Sequence, residues 1–90
     1  NRVKASGFRI QVFWGGSTRA DEANAQRAGL KVTTLFPELT SYTAFISPNW
    51  SCRVGDFSTR AEANIYLQKL KEERIVQNAN IVRSEVYVYQ

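Results

Sequence analysis

Hydrophobic and polar side chains alternate along residues 7 to 14, which predicts a β-strand because successive side chains of a strand point to opposite faces. One set of positions is mostly large and apolar and is expected to face a core. Its members are Phe8, Ile10, Val12 and Trp14. The other set is expected to face away from the core, and it consists of Arg9, Gln11 and Phe13. Gly15-Gly16 then ends the alternation.

Two later segments carry apolar residues at helical spacing, and each predicts one amphipathic helix. The first begins after Ser17-Thr18, either of which can cap it, and ends near the Phe36-Pro37 pair. Its expected buried stripe is Ala25, Ala28, Val32 and Leu35. The second begins at Thr59, and Glu62 stands at the spacing of a capping box. Its expected buried stripe is Ala63, Tyr66, Leu67 and Leu70.

The two helix starts are related in sequence. The segment from Ser17 to Asn24 returns, one residue shorter, from Ser58 to Asn64. Each copy follows a strand pattern and a glycine, and self-similarity at a separation of about forty residues indicates two related halves.

Three more segments are predicted as strands, at residues 42–47, 50–54 and 81–86. Ser47-Pro48-Asn49-Trp50 has the composition of a turn, so the first two of these should form an antiparallel hairpin. The order βαββαβ predicts an α+β, ferredoxin-like fold, in which a four-stranded antiparallel sheet carries two helices on one face and leaves the other open. Residues 1–6 are expected to be a linker and 7–85 the domain, while 86–90 form a tail or prolong the last strand.

Composition narrows the function. The formal net charge is +4, from scattered residues, and favours anionic partners mildly. A chain without histidine and with one cysteine cannot assemble the usual zinc ligand sets or a histidine-based nucleophilic triad. No phosphate-binding glycine loop is present. No apolar run approaches the roughly 20 residues that cross a bilayer, and no signal segment is seen. We therefore expect a binding module without catalytic residues, metal or cofactor.

The open face of the predicted sheet carries the candidate site. In the third strand Cys52 and Val54 fit the core parity, so Ser51 and Arg53 should face outward beside the outward set of the first strand. Aromatic rings stack on sugars or bases, amides donate and accept, and guanidinium groups recognise carboxylate or phosphate. The predicted ligand-binding residues are Arg9, Gln11, Phe13, Trp14, Trp50 and Arg53.

Several of these positions have a second interpretation. Trp14 and Trp50 stand near strand ends, where each could pack against the core or contact a ligand. Arg53 could pair with an acid on a neighbouring strand. The facing of Tyr42 and Phe45 is undetermined. Gly55 and Asp56 are expected to serve the turn into the second helix.

The chain resembles the SPOR domain, a sporulation-related repeat of bacterial envelope proteins. It is similar to a variant of that domain found in Bacteroidetes-type bacteria. The resemblance spans about residues 7 to 84. It is carried by Phe8-Arg9-Ile10-Gln11-Val12, by Cys52-Arg53-Val54-Gly55-Asp56-Phe57 and by Thr59-Arg60-Ala61-Glu62-Ala63.

The resemblance implies a non-catalytic module that binds peptidoglycan glycan strands lacking stem peptides, in the periplasm at the division septum. By position, Gln11 falls on the family's binding glutamine, Trp14 on a site where a small polar residue is common, and Trp50 near an aromatic position. Division proteins are further candidate partners. No nucleic acid partner is expected, and any membrane attachment is expected through other parts of the parent chain.

Such a glycan exposes a lactyl carboxylate on every second sugar, so Arg9 and Arg53 are the predicted carboxylate ligands. Two alternatives stay open. A single-stranded RNA-binding domain has the same element order and uses an aromatic sheet face, although its basic-glycine-aromatic run is not found between Trp50 and Phe57. A ferredoxin-like protein-interaction domain could dimerise through its sheet.

Overall fold

The computed structural model describes residues 1–89, in which four strands and two helices follow the order βαββαβ. The strands are β1 (Arg2–Trp14), β2 (Ser41–Ile46), β3 (Asn49–Phe57) and β4 (Asn80–Tyr89). The helices are α1 (Arg19–Leu35) and α2 (Arg60–Glu73). All strands join one antiparallel sheet in the order β2-β3-β1-β4. The predicted α+β, ferredoxin-like fold is confirmed.

The outer parts of β1 and β4 form a two-stranded ribbon that extends beyond β3. Residues 2–6, expected to be a linker, pair in unbroken register with residues 85–89. Of the two possibilities for the end of the chain, an extension of the last strand is formed as far as Tyr89, and Gln90 lies outside the described residues. Both strands therefore cross the boundaries expected at residues 7 and 85. Residues 2–6 and 85–89 form strands because they pair with each other, although neither segment by itself was predicted with certainty to be a strand.

Both helices begin at the threonines of the sequence repeat. The Thr18 hydroxyl accepts a hydrogen bond from the Asp21 N–H at 3.1 Å, and the Asp21 carboxylate accepts one from the Thr18 N–H at 3.1 Å. The Thr59 hydroxyl accepts the Glu62 N–H at 3.2 Å. These bonds satisfy N–H groups that a helix start leaves without partners. The predicted helix starts are confirmed.

Helix α1 approaches the sheet closely at Gly29. A Cβ atom there would overlap the Ser41 hydroxyl and lie 2.9 Å from the Cys52 sulfur, so the glycine that weakens a helix also permits this contact. The C-terminal end of the expected stripe is wrong. Leu35 is 46% exposed, and Phe36 packs against the core instead, because the backbone leaves helical geometry at Phe36.

The turn between β2 and β3 is tighter than predicted. The strands pair as far as Ile46 and Asn49, which leaves Ser47 and Pro48, joined by a cis peptide bond, as a two-residue loop. The antiparallel hairpin itself is confirmed.

A bulge in β3 moves Asp56 onto the sheet. Between the pairs Phe8–Phe57 and Ile10–Val54, β3 has one residue more than β1, and Gly55 there has a φ of +83°. A left-handed glycine is the usual first residue of such a bulge. The expectation that Gly55 and Asp56 form the turn into α2 is therefore wrong, since both lie within β3.

A second bulge, in β1, reverses the alternation near its end. Gln11 pairs with Arg53, but Phe13 pairs with Cys52 after an extra residue on β1. Because cross-strand partners share a face, Phe13 falls on the side of buried Cys52 and packs against the core. The expectation that Phe13 faces outward is wrong. The same bulge moves Trp14 out of the set of core-facing residues. Trp14 pairs with Ser51 and is 48% exposed.

Candidate functional site

A single carboxylate ties all four strands together on the face opposite the helices. Asp56 of β3 lies 2.8 Å from the Arg9 Nη2 atom of β1, and the two side chains are 18% and 12% exposed. The same carboxylate accepts the Tyr42 hydroxyl of β2 at 2.5 Å and the Tyr87 backbone N–H of β4 at 2.9 Å. The Arg9 guanidinium lies 3.7 Å from the Tyr42 ring centroid. We call these four residues the carboxylate cluster.

The electrostatics of the carboxylate cluster favour an ionised Asp56. Burial by itself would raise the pKa of Asp56, but the hydrogen bonds from Tyr42, Tyr87 and Arg9 outweigh it and hold the pKa below its ordinary value. Burial, with the hydrogen bond to Asp56, raises the pKa of the Tyr42 hydroxyl. Arg9 is therefore neutralised from within the protein.

Gln11 and Arg53 form a second, smaller pair on the same face. The Arg53 Nε atom donates to the Gln11 Oε1 atom at 3.1 Å across the β1–β3 ladder. Burial, and to a lesser extent the positive charge of Arg9, lowers the pKa of Arg53. The pair fixes the Gln11 side chain, and the Gln11 amide nitrogen donates to no other described residue.

A groove of about 550 Å³ begins at Gln11, where β4 stops pairing with β1. The last β1–β4 pair is Gln11 with Asn80, so among the described residues Val12 to Trp14 have no strand on that side. One wall is α1 and another is the segment from residue 75 to 78. The amide side chains in its lining are Gln11, Asn24, Gln77, Asn78 and Asn80.

Helix α1 contributes two cations to the groove. Arg27 and Lys31 stand four residues apart, on one side of the helix, and both line the groove. The Arg27 guanidinium donates to the Asn24 side-chain oxygen. Neither cation forms a salt bridge with any described residue, and the described lining contains no carboxylate. The exposed Trp14 ring also lines the groove, as does Phe13. The groove therefore offers amides, cations and aromatic rings together.

The structure divides the predicted site residues. Gln11 and Trp14 line the groove, and Arg53 is attached to it through Gln11. Arg9 lies apart in the carboxylate cluster. Trp50 packs against the core and lies 5.3 Å from the Phe45 ring, so it is not part of the groove. Phe13 reaches the lining from its core position.

Three groove residues on α1 escaped the sequence interpretation: Asn24, Arg27 and Lys31. Their spacing of three and four residues was visible as a polar stripe on one side of the helix. Such a stripe ordinarily faces solvent, and only the position of the segment before β4 turns it into a groove wall.

Comparison with known proteins identifies the family. A family model described as SPOR domain matches residues 4–83, from within β1 to within β4, and so includes all six elements. No curated protein and no solved structure matches the chain. SPOR domains are peptidoglycan-binding modules that typically occur in the cell envelope. In the described part of the chain, neither helix is long and apolar enough to cross a membrane. With nearly its whole length matched, the chain belongs to the SPOR domain family.

Proposed function

We propose that this domain is a non-catalytic module that binds peptidoglycan glycan strands lacking stem peptides. The glycan would lie against the Gln11–Arg53 pair and continue into the groove. The observation that carries this proposal is the composition of the groove, which joins Gln11 to the exposed Trp14 ring, to amides and to two cations without an acid. Gln11 is also the residue that matches the family's binding glutamine.

Each group in the groove has a counterpart on such a ligand. Amide side chains both donate and accept, as acetamido and hydroxyl groups require. The Trp14 ring offers a flat apolar surface to the face of a sugar, and its N–H can bond to a hydroxyl. The volume of about 550 Å³ lies within the usual range of ligand sites.

The biological setting follows from the proposed ligand. Strands without stem peptides are the product of peptide removal, which points to the division septum and a periplasmic location. Proteins of the division machinery are further candidate partners. This setting rests on the family and on the proposed ligand together.

The RNA-binding alternative is less well supported by the same face. Its sheet aromatics would have to stack on bases. Tyr42 instead lies against Arg9 and donates to Asp56, and Tyr87 lies 6.3 Å from the Tyr42 ring. The aromatic rings of the carboxylate cluster therefore contact one another and Arg9.

Co-sedimentation with cell-wall sacculi before and after amidase digestion tests the proposal. Binding should rise with digestion. Gln11→Ala should lower binding to digested sacculi by about tenfold, because it removes a fixed amide and releases Arg53. Asn64→Ala, an amide removed from exposed α2 outside the groove, is the matched control. Wild-type binding that does not rise with digestion, or tight binding to homopolymer RNA, would overturn the proposal.

A further inference from the structure

We infer that Arg27 and Lys31 of α1, rather than Arg9 and Arg53, bind the lactyl carboxylates that the glycan exposes when its stem peptides are absent. This inference rests on the proposed function, in which the ligand is such a glycan. The residues that recognise the ligand's negative charge would then belong to α1 and not to the sheet.

Both sheet arginines already have partners. Arg9 forms a salt bridge with Asp56, with 2.8 Å between Nη2 and the carboxylate, and its side chain is only 12% exposed. An incoming carboxylate would have to displace Asp56 and overcome the repulsion from its negative charge. Arg53 commits its Nε atom to Gln11. A second anion is therefore poorly accommodated at Arg9. Arg53 has no acidic partner among the described residues, but it is partly buried and its bond to Gln11 leaves only the other guanidinium nitrogens to a ligand.

The two cations of α1 differ from Arg9 in lacking an acidic partner among the described residues, and from Arg53 in being exposed. Both line the groove. Like charges four residues apart on a helix repel each other, and a bound carboxylate between them would relieve that repulsion. The hydrogen bond to the Asn24 oxygen also restricts the Arg27 guanidinium on the groove side of the helix.

This arrangement gives a physical reason for discrimination against strands that keep their peptides. A stem peptide is joined to the lactyl group through an amide, which removes the negative charge that Arg27 and Lys31 would bind. The peptide also adds bulk where α1 faces residues 75–78 across the groove. Charge and space would then both favour the stripped strand.

The test compares two doubly substituted proteins that lose the same charge. In R27Q/K31Q both groove cations are removed, whereas R19Q/K71Q removes one cation from each helix outside the groove. The probe is amidase-digested sacculi, used unmodified and after conversion of their carboxylates to neutral amides. R27Q/K31Q should bind the unmodified probe about tenfold or more weakly than R19Q/K71Q, as two charge-assisted hydrogen bonds are lost.

Neutralising the probe provides a second readout. Wild type and R19Q/K71Q should lose affinity when the carboxylates become amides, and R27Q/K31Q should change little because its contacts to them are already gone. Wild-type affinity in R27Q/K31Q, or no effect of neutralisation on wild type, overturns this assignment and leaves the proposed function standing. A wild-type protein that binds no digested sacculi overturns the proposed function and this assignment with it.

Discussion

The carboxylate cluster on the open sheet face and the groove between β1 and α1 differ in whether their charges already have partners within the protein. At the carboxylate cluster, Arg9 meets Asp56 within the protein, and a residue from every strand contributes. At the groove, Arg27 and Lys31 have no acidic partner among the described residues, and amides surround them. Arginine occurs in both regions. The comparison shows that a cation predicted to be available for a ligand can be neutralised within the protein, and in our proposal only the cations without an acidic partner bind the glycan.

The β1–β4 ribbon supplies the β4 contact of the carboxylate cluster. Gly7 lies where a Cβ atom would overlap the Phe57 carbonyl oxygen and come within 2.5 Å of a Val86 methyl group. Without that side chain, Val86 is buried and the next residue, Tyr87, brings its N–H to Asp56. Beyond Gln11 no described part of β4 pairs with β1, and the groove lies along this edge of β1.

The largest expected effect is on stability at the carboxylate cluster. Asp56→Ala leaves Arg9 uncompensated in a site of low exposure and should lower the free energy of unfolding by about 3 kcal/mol. Urea unfolding followed by circular dichroism measures this. Glu85→Ala is the control, since its pair with Lys4 at 3.7 Å is exposed and should be worth less than about 1 kcal/mol. Equal losses in the two variants would remove the distinction between the cluster and an ordinary surface pair.

The next effect is on binding at the groove. Trp14→Ala should weaken affinity for digested sacculi by about tenfold, because a flat stacking surface worth about 1.4 kcal/mol is lost. Its effect on the free energy of unfolding should be below that of Asp56→Ala, since the side chain is 48% exposed. Ile65→Ala removes another exposed apolar side chain, on α2 away from the groove, and should bind as wild type. A Trp14→Ala protein that binds normally would place the ligand elsewhere.

A smaller effect is expected from pH. The pKa of Asp56 is lower in the folded protein than its ordinary value, so its ionised form stabilises the fold above the unfolded-state pKa. That contribution should be lost as pH falls from about 4 through the folded-state pKa. The difference in unfolding free energy between wild type and Asp56→Asn should therefore shrink between pH 7 and pH 3. A difference that stays constant over this range would mean that the charge of Asp56 contributes nothing.

The smallest effect expected concerns the helix cap. Thr59→Ser keeps the hydroxyl that accepts the Glu62 N–H and should change the unfolding free energy little, whereas Thr59→Ala should cost about 1 kcal/mol. Thermal unfolding of the two variants gives the comparison. Both should bind digested sacculi as wild type does, since Thr59 belongs to neither the groove nor the carboxylate cluster. An Ala variant as stable as the Ser variant would argue against the cap.

The sequence predicted the fold well because helix caps and the alternation of strand side chains depend on neighbouring residues only. The Ser17-Thr18 pair and Thr59 identified both helix starts, and Ile10 and Val54 identified the core face of the sheet. The pattern failed beyond Gln11, because a bulge adds one residue and alternation carries no sign of it.

The site was harder to predict than the fold. Arg9 and Asp56 are 47 residues apart, and the bulge at Gly55 is what brings the carboxylate onto the sheet. The sequence could show Arg9 on an outward position, but not that it would be neutralised there. The groove likewise depends on where residues 75–78 lie against α1, a long-range arrangement that no local spacing records.

The most direct test of the central claim is an NMR titration with soluble glycan strands free of stem peptides, followed residue by residue through the backbone amides. The groove predicts shifts in Gln11–Trp14, in Asn24–Lys31 and in residues 75–80, with little change at Asp56 and Tyr87. Shifts confined to the carboxylate cluster or to β2, with the groove signals unmoved, would contradict it.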